Sequence, residues 1–389
     1  MKRKKIYFFT EFPFKKRDFL RFGFDIFREN NLEVFVIDFT PLFLKNFKEL
    51  NLDVKKNKRE KYYFIQQKKD FNDIESFFDS NSIIISLFKI KPKTKFVFEF
   101  LNERKVLFGF CNSNLVPSNE KSIKEKFLQS FKNPKTILNK LDFLFSSYKN
   151  KVSNNIYPKF IISGGKKSVD SDKYPQNKDT ILIETHTLDY DLYLDEELKN
   201  KERSIESNYV VFLDEYVPYH PDYIHQNIEP YCSPDDYYSD LNLFFSEIEF
   251  KTEFRVIICA HPKADYKKIG NLFNDRTIFY DQTINLVKFS EFVITHASTS
   301  SNFAVLYKKP MVFIKSKKYD SAFNKIIDFH ASIFKKKPID VSFNGEKFHS
   351  EERIDKDTYK SYKIDYIKNI NTPQKKVWNI FLDNLDSLN

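Results

Sequence analysis

The stretch that decides the fold reads RVIICAHP at 255–262 and FVITHASTSS at 292–301. In each piece a short apolar run rich in β-branched residues is followed closely by polar residues, His261-Pro262 in the first and Ser298–Ser301 in the second. A run of this length and composition predicts a strand that is buried on both faces of a parallel sheet. Each polar group therefore follows the carboxyl end of a strand, which is the edge where open α/β sheets bind ligands.

Strands and helices alternate on both sides of these two pieces. Within 255–314 the predicted strands are 256–260, 276–280, 292–295 and 311–314, and the predicted helices are 263–272, 283–290 and 300–308. Further strands are predicted at 5–10, 33–38, 61–66, 82–87, 105–110, 159–163, 181–184 and 209–213. Further helices are predicted at 18–30, at 70–79, at 94–103, within 119–149, at 359–369 and at 373–388. Strands that alternate with helices along a chain form right-handed βαβ units around a parallel sheet.

The alternation predicts an α/β protein with two Rossmann-like domains that face each other, followed by a C-terminal helical tail. A chain of 389 residues is long enough for two domains, each with a full hydrophobic core. We predict an N-terminal domain over 1–200, a C-terminal domain over 208–345, and a tail over 346–389 that packs near the junction. The polar residues 195–207 are interpreted as the connection between the domains.

Composition excludes several classes of protein. The chain has 6 glycines, which form neither of the two glycine-rich motifs that cradle phosphate, so any phosphate must be held by other groups. The cysteines at 111, 232 and 259 lie far apart, which argues against a disulfide frame or a zinc site and for a reducing cytoplasm. No apolar run reaches about 18 residues, so no membrane span is expected.

The formal net charge is +10, and the basic residues are dispersed along the chain. A protein that binds RNA more often has a basic stripe interleaved with exposed aromatic residues, so no nucleic acid is expected as a partner. The dispersed charge favours solubility and peripheral contact with the anionic inner face of a membrane.

Two of the polar groups at strand ends are suited to phosphate. Proline directs the residue before it to an extended conformation, so Pro262 restricts where the His261 ring points as the chain leaves the sheet. The imidazole there either donates to a phosphate oxygen or occupies an ordinary strand-to-helix turn. The run Ser298–Ser301 precedes a predicted helix, where one hydroxyl suffices as a cap and four offer an anion site without glycine.

An acidic pair, Asp214-Glu215, ends the strand that opens the second domain. One of these carboxylates is suited to accept a proton from a sugar hydroxyl, and the alternative is a solvated turn. Further candidates for the cleft or the acceptor site are Glu11, the pair Gly164-Gly165, His186 and Asp189 in a polar loop at 185–191, and His220 in a second His-Pro dipeptide. The glycine pair either lets a ligand approach the backbone closely or forms a plain turn.

The order of these groups resembles a known family. An acidic residue at a strand end, a His-Pro at another strand end and a Ser/Thr cluster opening a helix are similar to the bacterial sialyltransferases, polysialyltransferases and related Kdo and nonulosonate transferases of the GT-B fold. The resemblance implies a general base at Asp214, with Glu215 as the alternative, a phosphate contact from His261, and a phosphate held by Ser298–Ser301. The family's acidic motif ends in glycine where Tyr216 stands here, so the choice between the two carboxylates stays open.

The resemblance covers about residues 209–314, and it implies a cytoplasmic glycosyltransferase that needs no metal or other cofactor. The implied donor is a CMP-activated nonulosonic acid, and the implied acceptor is a capsule or lipopolysaccharide glycan, free or lipid-linked. UDP-sugar 2-epimerases and CDP-glycerol polymerases place His and Ser groups on the same fold, so another nucleotide-sugar enzyme is an alternative. A non-catalytic module of polysaccharide assembly is a further alternative.

Overall fold

The structure is a computed structural model that describes residues 5–44, 61–113, 117, 156–169, 174–199, 202–223, 228–342, 348 and 353–388. The described chain divides into two compact units. The first is formed by residues up to 113, residues 156–188 and residues 371–388, and the second by residue 117 and residues 189–370. The predicted helices within 119–149 lie outside the described residues.

A sheet of seven parallel strands forms the centre of the first unit. The strands are β1 (Lys5–Thr10), β2 (Glu33–Asp38), β3 (Lys61–Phe64), β4 (Ser82–Ser86), β5 (Leu107–Asn112), β6 (Phe160–Ser163) and β7 (Ile181–Glu184). They lie in the order β3-β2-β1-β4-β5-β6-β7, with every neighbouring pair parallel. Apolar side chains are buried on both faces, since Ile6 and Phe8 belong to one core and Tyr7 and Phe9 to the other.

A second sheet of six parallel strands forms the centre of the second unit. Its strands are β8 (Tyr209–Leu213), β9 (Arg255–Cys259), β10 (Ile278–Phe279), β11 (Val293–Thr295), β12 (Met311–Lys315) and β13 (Ile339–Asp340). They lie in the order β10-β9-β8-β11-β12-β13, again with parallel neighbours. Counted from its own first strand, each sheet follows the order 3-2-1-4-5-6 of a Rossmann domain, and the first sheet adds one strand at its edge.

Helices cover the faces of both sheets. Those of the first unit are Lys16–Arg21, Phe24–Glu29, Thr40–Phe43, Lys68–Asp73, Lys95–Glu103 and Val377–Asp383, with 3₁₀ turns at Glu75–Phe77, Lys166–Val169 and Leu385–Leu388. Those of the second unit are Leu188–Lys199, Pro234–Thr252, Tyr266–Ile269, Thr283–Phe289, Ser301–Leu306, Ser321–Ile333 and Lys356–Tyr362, with a 3₁₀ turn at Val217–Tyr219 and a π turn at Lys363–Ile367. The two faces of β8 contact different helices, so the second unit has three layers.

The helix expected at 18–30 is two helices, because Gly23 interrupts it. Gly23 adopts a left-handed conformation with φ of 66°, and a Cβ atom there would lie 2.3 Å from Cδ1 of Trp378. The Trp378 side chain is 1% exposed and packs against Phe8 and Phe27, and its Nε1 donates to the carbonyl of Arg21 at 2.9 Å. The helix is therefore interrupted at Gly23, where the Trp378 ring occupies the space that a side chain would fill.

The tail divides between the units. Residues 356–367 pack with the second unit, where Tyr359 and Tyr362 join the core that contains Tyr209. Residues 377–388 pack with the first unit, where Val377, Trp378 and Phe381 join the core that contains Phe8. Residues 371–388 thus complete the N-terminal core, a role that the prediction of one separate tail did not include.

Several other expectations change in detail. The polar loop predicted at 185–191 is helical from Leu188 onward, and the helix runs to Lys199, inside the predicted connection. The helix predicted at 263–272 is confined to Tyr266–Ile269, and the strand predicted at 276–280 to Ile278–Phe279. Two long helices, Pro234–Thr252 and Ser321–Ile333, were not predicted, and neither was β13.

Candidate functional site

Three neighbouring strands of the second sheet end at the same edge, and each is followed by predicted site residues. Asp214-Glu215 follows β8, His261 comes two residues after β9, and Ser298 comes three residues after β11. Because β9 and β11 lie on opposite sides of β8, the strand order reverses between β8 and β11. This reversal is the topological switch point, where sheets of this kind open a crevice for ligands.

A pocket of about 250 Å³ lies at this edge. Its polar lining residues are Glu215, His220, Asp222, His261, Ser298 and Thr299. Its apolar lining includes Tyr231 and Phe323, whose rings stack with centroids 5.0 Å apart. A pocket lined by both aromatic and hydrogen-bonding side chains has the lining of a small-molecule site.

Asp214 connects the end of β8 to the chain that follows β9 and does not line the pocket. Its side chain is 3% exposed and is absent from the pocket lining. One carboxylate oxygen accepts from the backbone N–H of Tyr216 at 2.8 Å, and the other accepts from the N–H of His261 at 3.2 Å and from the Tyr266 hydroxyl at 2.9 Å. Burial raises the pKa of Asp214 to about 6. The sequence named Asp214 first as the base, and the structure places it as the link between β8 and the His261 turn.

Glu215 faces the pocket instead. Its Oε1 accepts from the backbone N–H of Ala297 at 2.7 Å, which ties the end of β8 to the loop after β11. Burial raises the pKa of Glu215 to about 7, and the neighbouring charge of Asp214 adds to the rise. A carboxyl group with this pKa exchanges protons near neutral pH, which is the property of a general acid or base.

The two His-Pro dipeptides meet in the pocket. The rings of His220 and His261 both line it, and their centroids are 4.8 Å apart. Pro262 follows His261 directly, and the chain then turns so that the N–H of Lys263 donates to Nδ1 of His261 at 3.2 Å. This bond orients the imidazole at the end of β9, as Pro262 was expected to do.

The four hydroxyl residues do not share one environment. Ser298 and Thr299 line the pocket, whereas Ser300 precedes the helix Ser301–Leu306 and Ser301 is 3% exposed. The Ser298 hydroxyl accepts from the N–H of Ser300 at 3.3 Å, so it also serves as a local cap. The N–H groups of residues 301–303 donate to carbonyls of residues 298–300. An anion in the pocket would therefore meet the first two hydroxyls rather than a helix end with free donors.

His296 was not predicted, and it supports the same loop. Its side chain is fully buried, its Nδ1 donates to the carbonyl of Ile314 at 2.8 Å, and its Nε2 accepts from the Tyr237 hydroxyl at 3.2 Å. Burial lowers the pKa of His296 to about 4, so the ring is neutral at physiological pH. The sequence signal was a histidine directly after the strand residue Thr295, two positions before Ser298.

The remaining predicted residues do not line this pocket. Glu11 follows β1 in the first unit and forms ion pairs with Lys91 at 3.0 Å and Lys93 at 3.1 Å. Asp189, in the second unit, accepts from the side-chain amide of Asn302 at 3.0 Å. His220, named only as a cleft candidate, is the exception that the structure brings to the pocket wall.

Two further predicted groups make contacts inside the first unit. A Cβ atom on Gly164 would lie 2.2 Å from the carbonyl oxygen of Ser113, and the N–H groups of Gly164 and Gly165 donate to the Ser168 hydroxyl. The close backbone approach is therefore to the neighbouring chain segment. His186 is fully buried, with Nε2 2.7 Å from the carbonyl oxygen of Lys375.

Within the described residues, no group of three His, Cys, Asp or Glu side chains is placed to hold a metal ion. Cys111, Cys232 and Cys259 are free thiols. No helix in the described part of the chain is long and apolar enough to cross a lipid bilayer.

The fold defines the class of protein. The chain is an α/β protein with two Rossmann-order parallel sheets in tandem, which is the domain composition of the GT-B fold. The assignment depends on the strand order and on the division into two units. The facing arrangement of the two units stays a prediction.

Neither a scan against protein-family models nor a search of the curated proteins finds a match to this chain. Among solved structures, the chain is similar to MurG from Acinetobacter baumannii, with 8% identity, 99% of each chain covered and a TM-score of 0.47. It is similar to the UDP-GlcNAc 2-epimerase of Methanocaldococcus jannaschii, with 10% identity, 100% of each chain covered and a TM-score of 0.46. It is also similar to MnaA of S. aureus in a co-structure with UDP, with 11% identity, 100% of this chain and 96% of that chain covered, and a TM-score of 0.46. Similarity at this level concerns the general fold alone.

Proposed function

We propose that the protein is a nucleotide-sugar-dependent glycosyltransferase that binds its donor in the second unit. The observation that carries the proposal is a single pocket, at the switch point of a Rossmann-order sheet, lined by both Glu215 and His261. The carboxyl group suits a general base because its pKa of about 7 lies near physiological pH. The imidazole suits a phosphate because it presents an N–H donor at a strand end.

In the proposed reaction, Glu215 takes the proton of an acceptor hydroxyl while the acceptor oxygen forms a bond to the anomeric carbon of the donor sugar. The bond between that carbon and the donor phosphate breaks, and its electron pair stays on the phosphate oxygen. His261, with the hydroxyls of Ser298 and Thr299, stabilises the charge that builds on this oxygen. A single displacement of this kind inverts the anomeric centre, and the proposed reaction uses no metal.

The sequence resemblance supports a CMP-activated nonulosonic acid as the donor and a capsule or lipopolysaccharide glycan as the acceptor. The stacked rings of Tyr231 and Phe323 belong to the apolar lining of the pocket, which also has polar lining residues. A nucleotide has the matching combination of an aromatic base and a charged phosphate.

The test is incubation of the purified protein with CMP-nonulosonic acid or UDP-GlcNAc, each with and without an acceptor glycan, followed by product analysis. We expect sugar transfer and nucleotide release in equal amounts only when the acceptor is present. Glu215→Gln should slow transfer by roughly 10²–10⁴-fold. Glu291→Gln, which changes an exposed glutamate of the same unit, should leave the rate of transfer unchanged. Conversion of the nucleotide sugar to its 2-epimer without an acceptor would show that the protein is a 2-epimerase and that the proposal is wrong. Absence of both turnover and nucleotide binding would replace it by a non-catalytic assembly module.

A further inference from the structure

Two turns of the second unit have the same local geometry. His220-Pro221 and His261-Pro262 are the two His-Pro dipeptides of the pocket, one in the chain after β8 and one in the chain after β9. In each turn, Nδ1 of the histidine accepts from the N–H two residues further on, Asp222 in the first and Lys263 in the second, both at 3.2 Å. The shared bond fixes both rings relative to the backbone.

The shared bond also fixes the proton on each ring. A nitrogen that accepts a hydrogen bond carries no proton, so in the neutral imidazole the proton lies on Nε2. Each of the two rings is therefore an Nε2–H donor. The rings lie side by side, with centroids 4.8 Å apart and planes inclined at 59°.

An ion pair joins the two turns. Nζ of Lys263 lies 2.6 Å from Oδ1 of Asp222, so the residues that donate to the two imidazoles are also bonded to each other. Asp222 also lies close to the first ring, with Oδ2 3.7 Å from Nδ1 of His220. The ion pair therefore fixes the position of one turn relative to the other before a ligand binds.

We propose that His220 and His261 form a two-histidine clasp for the phosphate of the donor, each donating its Nε2–H to a phosphoryl oxygen. The proposal rests on the proposed function for the identity of the natural ligand, and it adds His220 as a second phosphate-binding residue. Ser298 and Thr299 complete the polar wall with two hydroxyls. The ligand class is a phosphate monoester or a diphosphate, which share the acceptor oxygens that the clasp requires.

The test compares asparagine and glutamine substitutions at each of the two histidines. Asparagine at position 220 retains an acceptor near the place of Nδ1, so His220→Asn keeps the bond from Asp222 but is too short to place an N–H where Nε2 lies. Glutamine extends an amide N–H toward the place of Nε2, so His220→Gln restores a donor. Calorimetry with CMP, UDP, pyrophosphate and orthophosphate measures the affinity of each variant and of the corresponding variants of His261. We expect His220→Asn to weaken the tightest of these probes by about tenfold to a hundredfold, with part of the loss recovered in His220→Gln.

Failure of the clasp and failure of the proposed function give different results. Nucleotide binding that is unchanged in His220→Asn would overturn the clasp and leave the proposed function standing. Binding of pyrophosphate that depends on both histidines, without binding of any nucleotide, would support the clasp and overturn the proposed function. If the wild-type protein binds none of the four probes, both are overturned. If a variant does not fold, ¹⁵N spectra of the wild-type histidines decide, because ligand should shift the Nε2 signals of both rings.

Discussion

Amide substitutions at the two adjacent carboxylates separate proton transfer from the support of the pocket. In Glu215→Gln, the amide oxygen still accepts from the N–H of Ala297, which the carboxylate does at 2.7 Å in the wild-type protein. The loop after β11 therefore stays in place while the basic group is lost. We expect kcat to fall by roughly 10²–10⁴-fold, the range for removal of a general base, with nucleotide affinity changed by less than about twofold.

Asp214→Asn should give the opposite pattern. The carboxylate receives three donors on its two oxygens, from Tyr216, His261 and Tyr266, and an amide has only one oxygen with which to accept them. At least one of the three donors therefore loses its partner. Two of them, the N–H of His261 and the hydroxyl of Tyr266, connect Asp214 to the chain that follows β9. A lost hydrogen bond of this kind corresponds to about 1–3 kcal/mol, so we expect nucleotide affinity to fall by roughly 5- to 150-fold. The loss in kcat should be smaller than for Glu215→Gln.

The assay is steady-state kinetics with the preferred donor together with calorimetry for the free nucleotide, on both variants and the wild-type protein. A thermal unfolding curve for each variant confirms that it is folded. The reasoning would be refuted if Asp214→Asn lost turnover at unchanged nucleotide affinity while Glu215→Gln kept both.

Three further predictions concern the pH profile, the hydroxyls of the pocket and the C-terminal tail. Because a base must be deprotonated and burial raises the pKa of Glu215 to about 7, kcat/KM should rise with pH and level off above about 7, and a pH profile flat from 5 to 8 would contradict this. Ser298→Ala combined with Thr299→Ala should weaken nucleotide binding by about 1–3 kcal/mol in calorimetry, whereas Ser300→Ala, outside the pocket, should leave it unchanged. Trp378→Ala should lower the free energy of unfolding of the first unit by about 3–5 kcal/mol in a denaturant titration, because the side chain is 1% exposed, and a loss below about 1 kcal/mol would show that the tail is not part of that core.

The strands were predictable because each strand of a parallel sheet that is buried on both faces is a nearly continuous apolar run in the sequence. The run Tyr209–Leu213 is buried along its whole length, and its bounds were predicted as they are. The helix Pro234–Thr252 also has a recognisable sequence pattern. Ser233 caps it, and its buried face includes Tyr237, Leu241 and Phe245 at helical spacing. The sequence pattern of this helix was therefore sufficient to predict it.

The return of the tail to the first unit was not predictable from local pattern. Helical periodicity shows that a helix around Trp378 has an apolar face, but it does not show which sheet that face covers. The partner is Gly23, whose missing side chain makes room for the indole. A glycine after a helical run predicts an end or a break, and the ring that occupies the space is known only from the packing.

The sequence predicted those features of the site that depend only on the order of the strands. Parallel strands bring their carboxyl ends to one edge, so Glu215, His261 and Ser298 had to lie close together. The choice between Asp214 and Glu215 depends on which side of the chain each residue faces where β8 ends, and adjacent residues face opposite ways. The place of His220 depends on the path of the loop after β8, for which sequence offers no rule. A second His-Pro dipeptide was therefore visible without its position being known.

The return of residues 371–388 to the first unit also bears on the order in which a nascent chain matures. Residues 5–188 are synthesised before the second unit, yet the core that contains Phe8 also includes Trp378 and Phe381, which are synthesised after it. Domains generally fold as units from the N-terminus during synthesis. Because residues 371–388 follow the second unit in the chain, we expect the first unit to complete its core only after the second unit has been synthesised.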